Sequence, residues 1–104
     1  MALAQNAERQ AERRRVHANV AHALENTSSP GARALMERAV RQIDVWKSKR
    51  TCSPIYVKAW RRALRDPTRN ILRLAEGRQG MEDAMLQNSP FGFAMRDPRF
   101  VGGQ

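Results

Sequence analysis

Cysteine and histidine are scarce in this 104-residue chain, which contains only Cys52, His17 and His22. A lone cysteine excludes a disulfide within the chain and is typical of a reducing compartment, so we expect a cytoplasmic protein. The histidines are five positions apart. On a helix this separation turns them about 140° away from each other, so we expect both to face solvent and neither to bind a metal ion.

A recognisable catalytic set is also missing. Cys52 follows Lys49 and Arg50, whose positive charges can lower the pKa of a thiol. A nucleophile also requires a base and an oxyanion hole, and the sequence places neither beside Cys52, so we expect an ordinary turn residue there. No glycine-rich phosphate-binding loop occurs. We therefore predict a protein that is not an enzyme and has no cofactor.

Long apolar runs are absent, and no stretch has the length needed to cross a bilayer. The first residues lack the basic start and apolar segment of a signal peptide, so we expect neither a membrane protein nor a secreted one. The length is sufficient for one domain with a single modest core.

Helix starts are clearly marked, by a capping residue followed by proline at the first helical position. The three dipeptides that carry this signal are Ser29-Pro30, Ser53-Pro54 and Asp66-Pro67. Apolar residues then recur at steps of three and four, which predicts amphipathic helices from residue 30 to about 49, from residue 54, and from residue 67 to the glycine at 77. The same stripes include Trp46 and Trp60, which we expect in the core.

Two further helices complete the predicted architecture: a long N-terminal helix that ends near Asn26 and a short helix from about Met81 to Gln87. The chain is thus predicted to be all-α, a compact bundle of four to five short helices with a long N-terminal helix and an irregular C-terminal tail. We divide it into a polar helical arm (residues 1–15), the bundle (16–90) and a tail rich in aromatic residues, proline and glycine (91–104).

Positive charge is concentrated in the middle of the chain. Residues 30–80 contain thirteen Lys and Arg against four acids, a balance of +9 that equals the net charge of the whole protein. Many like charges in one module attract a polyanion or an acidic protein surface. The clearest constellation is an arc on the helices that begin at residues 54 and 67, which we call the cationic arc: Lys58, Arg61, Arg62, Arg65, Arg69 and Arg73.

The helix pair joined by the short turn at residues 51–53 is compatible with a helix-turn-helix arrangement, although such pairs also serve ordinary packing. The second helix begins Pro54-Ile55-Tyr56 and lacks a base-reading residue, so we expect any contact with nucleic acid to be made mainly to phosphates.

All three phenylalanines lie in the tail, at Phe91, Phe93 and Phe100. Two alternatives remain open for them. They complete the core by wrapping around the bundle, or they anchor in a groove of a partner protein, which aromatic side chains do efficiently.

Several residues together resemble a group of small, sparsely characterised bacterial proteins. The pattern comprises Trp46, Cys52-Ser53-Pro54-x-Tyr56, Trp60, Asp66-Pro67 and the closing Leu86-Gln87-Asn88-Ser89-Pro90-Phe91. The resemblance covers residues 17–93 and implies an antitoxin-like or regulatory protein. The chain departs from the pattern at Met85-Leu86, where the group has Leu-Arg, and in its more basic middle helices.

Two functions are compatible with these features. The first is an antitoxin-like or inhibitor-like adaptor that binds an acidic partner protein through the cationic arc and the aromatic tail. The alternative is a nucleic-acid-binding regulator that contacts phosphates through the same arginines. The long Arg/Glu-rich N-terminal helix is compatible with a homodimer in either case.

Overall fold

Helices account for almost all of the regular structure. The computed structural model describes residues 2–77 and 80–102, and it describes side chains for residues 7–77 and 81–102. Residues 1, 78, 79, 103 and 104, which belong to the predicted arm, bundle and tail, lie outside the described residues. Within these ranges no strand occurs, and the elements are α1 (Ala2–Ala23), α2 (Pro30–Lys49), α3 (Pro54–Ala63), α4 (Pro67–Ala75), α5 (Gly80–Gln87), a 3-10 helix (Gly92–Arg96) and α6 (Pro98–Val101).

The all-α prediction is therefore confirmed. The radius of gyration is 13.3 Å, close to the value of about 13 Å expected for a folded chain of this length. None of the described helices is long and apolar enough to cross a membrane.

The predicted helix starts coincide with those of the structure. Ser29 Oγ accepts a hydrogen bond from the N–H of Ala32 at 3.1 Å, and Ser53 Oγ accepts one from Ile55 at 3.4 Å. These bonds satisfy donors that have no partner within the helix. Asp66 also precedes a helix, but its side chain makes no capping bond, so Pro67 alone marks that start.

Trp60 is the centre of the core and is fully buried. Its indole N–H donates to the Met85 carbonyl oxygen at 3.0 Å, and its ring meets Phe91 edge to face with 6.0 Å between centroids. Trp46, which we predicted in the core, is only half-buried at the end of α2, whereas Val57 on α3 is buried. Trp46 packs against the core cluster without being enclosed by it, so the core prediction for this residue is confirmed only in part.

The C-terminal segment is ordered by its aromatic residues rather than irregular. Phe91 is fully buried and Phe100 is 5 % exposed, and the carbonyl oxygen of Phe100 accepts a hydrogen bond from Asn19 of α1 at 2.7 Å. The structure thus favours the core alternative for these two residues and corrects their prediction as partner anchors. Phe93 is half-buried beneath Arg38, whose guanidinium lies 3.9 Å from the ring centroid.

Helix α1 continues without a break through the predicted boundary between arm and bundle. Arg14, inside the predicted arm, forms a salt bridge of 2.8 Å with Asp83 of α5. His17, which we expected to face solvent, is fully buried. The prediction for His17 was wrong because α5 and the segment after it cover this face of α1. Helical spacing along α1 alone does not reveal such a long-range contact.

Candidate functional site

An open groove lies at the corner between α2 and α3. Its volume is about 710 Å³, and its walls are the last turn of α2, the turn at residues 51–53 and the first two turns of α3. We call this feature the corner groove. Its apolar lining is formed by Trp46, Pro54 and Val57.

Local backbone geometry creates the corner. Arg50 ends α2 in the left-handed region, with φ 55° and ψ 38°. The N–H of Thr51 then bonds to the carbonyl oxygen of Trp46 at 3.2 Å, and Ser53-Pro54 starts the next helix. Glycine is the usual residue in this conformation, and a side chain there costs about 1 kcal/mol. Arginine at this position adds a cation to the groove wall at the expense of some stability.

Four cations line the corner groove: Lys47, Arg50, Lys58 and Arg61. Among the described residues of the lining, none is acidic. Arg61 also forms an ion pair of 3.3 Å with Asp44, and both side chains are about half exposed, so water screens this pair and it contributes little to stability. The groove therefore combines an apolar surface with a positive rim.

The cationic arc is exposed at all six of its positions. Lys58 and Arg61 reach the corner groove, and Arg62 lies one helical turn after Lys58 on α3. Arg65, which we predicted on the same helix, lies in the turn between α3 and α4 because α3 ends at Ala63. Arg69 and Arg73 lie one turn apart on α4 and do not line the groove.

Two cations of the groove, Lys47 and Arg50, were not predicted as site residues. Arg50 directly precedes the turn at residues 51–53, and Lys47 lies in the last turn of α2. That position is the signal that could have placed them beside Lys58 and Arg61, because a short turn folds the end of one helix against the start of the next.

Cys52 is half-buried in the groove lining. Burial raises the pKa of its thiol above the ordinary value, an effect that a hydrogen bond from the Ser53 backbone only partly opposes. Neighbouring cations therefore do not activate the thiol, which stays protonated at neutral pH. No group of three or more His, Cys, Asp or Glu that could hold a metal ion occurs in the part of the chain that the structure describes.

In comparisons with known proteins, no family model, no curated protein and no solved structure matches this chain.

Proposed function

We propose that the protein binds nucleic acid in the cytoplasm, without catalysing a reaction, through the corner groove and the cationic arc. The observation that carries this proposal is the groove itself, in which four cations and a tryptophan line one open surface without an acidic residue among its described lining. Phosphates require only well-placed positive charges, and the exposed Arg62 of α3 and Arg65 of the turn after it extend such contacts beyond the groove.

Little sequence specificity is expected from this surface. The first turn of α3 presents Pro54, Ile55 and Tyr56 rather than the Arg, Asn or Gln side chains that read base edges in a major groove. The ligand would be recognised by its charge and by the shape of its backbone.

An adaptor that binds an acidic protein is the second candidate. Ile55 is 64 % exposed and Val45 is 41 % exposed, and each is adjacent in sequence to a residue of the groove. Such apolar side chains suit a protein interface. However, Phe91 and Phe100 are buried in the protein's own core, so two of the three side chains predicted to anchor in a partner protein are not accessible to it. We therefore favour nucleic acid.

Charge reversal on α3 tests whether the protein binds nucleic acid through this helix. The affinity for a fluorescent oligonucleotide of about 16 residues is measured by anisotropy for the wild type and for Arg61→Glu/Arg62→Glu. We expect a loss of affinity greater than about tenfold at low salt, with unchanged helical content by circular dichroism.

The matched control is Arg9→Glu/Arg15→Glu, which reverses the same number of exposed arginines on α1. Equal losses in the two variants would show that only net charge matters and would contradict a site on α3. An absence of oligonucleotide binding by the wild type, together with salt-resistant binding of an acidic protein, would establish the adaptor instead.

A further inference from the structure

We propose that the corner groove seats an unpaired base against Trp46 while its rim cations hold the adjoining phosphates, so that the preferred ligand is single-stranded nucleic acid. This inference rests on the proposed function and specifies the form of its ligand.

The corner groove is larger than a surface that only contacts phosphates needs to be. A phosphate needs only cations on an exposed face, whereas this site adds a cleft of about 710 Å³, which lies in the size range of small-molecule sites. Its apolar side chains offer nothing to a phosphate. They offer a hydrophobic surface to a base, because every base has an apolar face that can lie against an aromatic ring.

Trp46 is suited to this role by its partial burial. One part of the side chain packs against the core, and another part lines the groove. A tryptophan fixed in this way loses little conformational freedom when a base stacks on it. Trp60, by contrast, is fully buried and has no access to a ligand.

The surrounding charges fit a nucleotide chain rather than an isolated base. Lys47 and Arg50 lie on the α2 side of the groove, and Lys58 and Arg61 lie on the α3 side. A strand whose base enters between the two helices has phosphates before and after that base, and cations are available on both sides. A base held in a duplex is stacked between its neighbours and cannot enter, so the geometry favours a single strand over a duplex.

The contributions of the bases and of the phosphates to the affinity can be measured separately. Affinity is measured for a mixed-sequence single strand and for an oligonucleotide of equal length whose central sugars carry no base, with the wild type, Trp46→Ala and Trp46→Phe. We expect the wild type to prefer the complete strand by about tenfold, Trp46→Ala to lose that preference, and Trp46→Phe to retain most of it. The complete strand should also bind the wild type more tightly than the corresponding duplex.

Tryptophan fluorescence of the wild type provides a second measurement that does not depend on the folding of a variant. Since Trp60 is shielded, quenching by the complete strand and not by the base-free one would report on Trp46. Equal affinity for both ligands, with no quenching, would overturn the inference while leaving phosphate binding and the proposed function intact. If neither ligand binds the wild type, the proposed function itself fails.

Discussion

His17 Nε2 lies 2.8 Å from Ser89 Oγ, and this bond joins the middle of α1 to the segment that follows α5. The other ring nitrogen of His17 lies 2.7 Å from the carbonyl oxygen of Arg13. A carbonyl oxygen only accepts, so Nδ1 carries a proton. Burial lowers the pKa of His17 to about 4, so the imidazole is neutral at neutral pH and Nε2 accepts from the Ser89 hydroxyl. Ser89 Oγ in turn accepts the N–H of Phe91 at 3.0 Å. A chain of hydrogen bonds thus fixes the start of the C-terminal segment on α1.

We expect the stability of the fold to decrease as the pH falls from about 6.5 to 4. Burial lowers the pKa of His17 from 6.5 to about 4; the hydrogen bond to the Arg13 carbonyl oxygen partly opposes this shift, and the positive charge of Arg13 adds slightly to it. The unfolded state therefore takes up a proton in this interval while the folded state does not, and stability rises with pH across it. The full difference is on the order of 3 kcal/mol.

Chemical denaturation at a series of pH values measures this effect. His22→Gln should keep the pH dependence, because His22 is exposed, whereas His17→Gln should lose most of it. The same pH dependence in His17→Gln would assign the effect to other groups.

Removal of the Ser89 hydroxyl should destabilise the protein by about 1–3 kcal/mol, because Ser89→Ala leaves His17 Nε2 and the Phe91 N–H without this partner in the core. The control is Ser28→Ala, at an exposed serine, which should change the free energy of unfolding by less than about 0.5 kcal/mol. Similar values for the two variants would show that the hydrogen-bond chain has no special role.

Truncation of the aromatic residues distinguishes a core segment from a free tail. Phe91→Ala should lower the free energy of unfolding by about 3–5 kcal/mol, because its fully buried ring packs against Trp60. Phe93→Ala should cost less, about 1–2 kcal/mol, since its ring is only half-buried between the Arg38 guanidinium and the ring of Phe91. If Phe91→Ala unfolds at the same denaturant concentration as the wild type, the tail is not part of the core.

The sequence was informative wherever local chemistry decides the structure. A serine followed by proline sets the starts of α2 and α3, and Pro67 alone marks the start of α4. The apolar stripe of α2 identifies Ala32, Leu35 and Ile43 as buried. These features depend on residues within one or two turns, so a single sequence contains the necessary information.

Contacts between distant segments were not predictable in the same way. The burial of His17 depends on Ser89, which lies 72 positions away, and the order of the tail depends on its packing against α1. The cationic arc was found from helical spacing over the segments that form α3 and α4. Lys47 and Arg50 were missed as site residues because their role depends on how the α2–α3 corner folds.

Arg50→Gly should raise the stability of the fold and weaken oligonucleotide binding. Glycine relieves the left-handed strain at this position and should stabilise the fold by about 1 kcal/mol. The same change removes one cation from the corner groove, so it should weaken oligonucleotide binding and reduce the dependence of log Kd on log salt concentration by about 1. Thermal unfolding and anisotropy test the two effects separately. Unchanged binding by a stabilised variant would exclude Arg50 from the site.

The most direct test of nucleic-acid binding is the salt dependence of wild-type affinity for a single-stranded oligonucleotide. If all cations of the corner groove and the cationic arc contact phosphates, the association constant should fall with a slope of about −5 to −6 in a plot of log K against log salt concentration. Contacts by the groove cations alone would give a slope near −3, which also supports the account. A slope shallower than about −1, or the absence of binding at low salt, would contradict it.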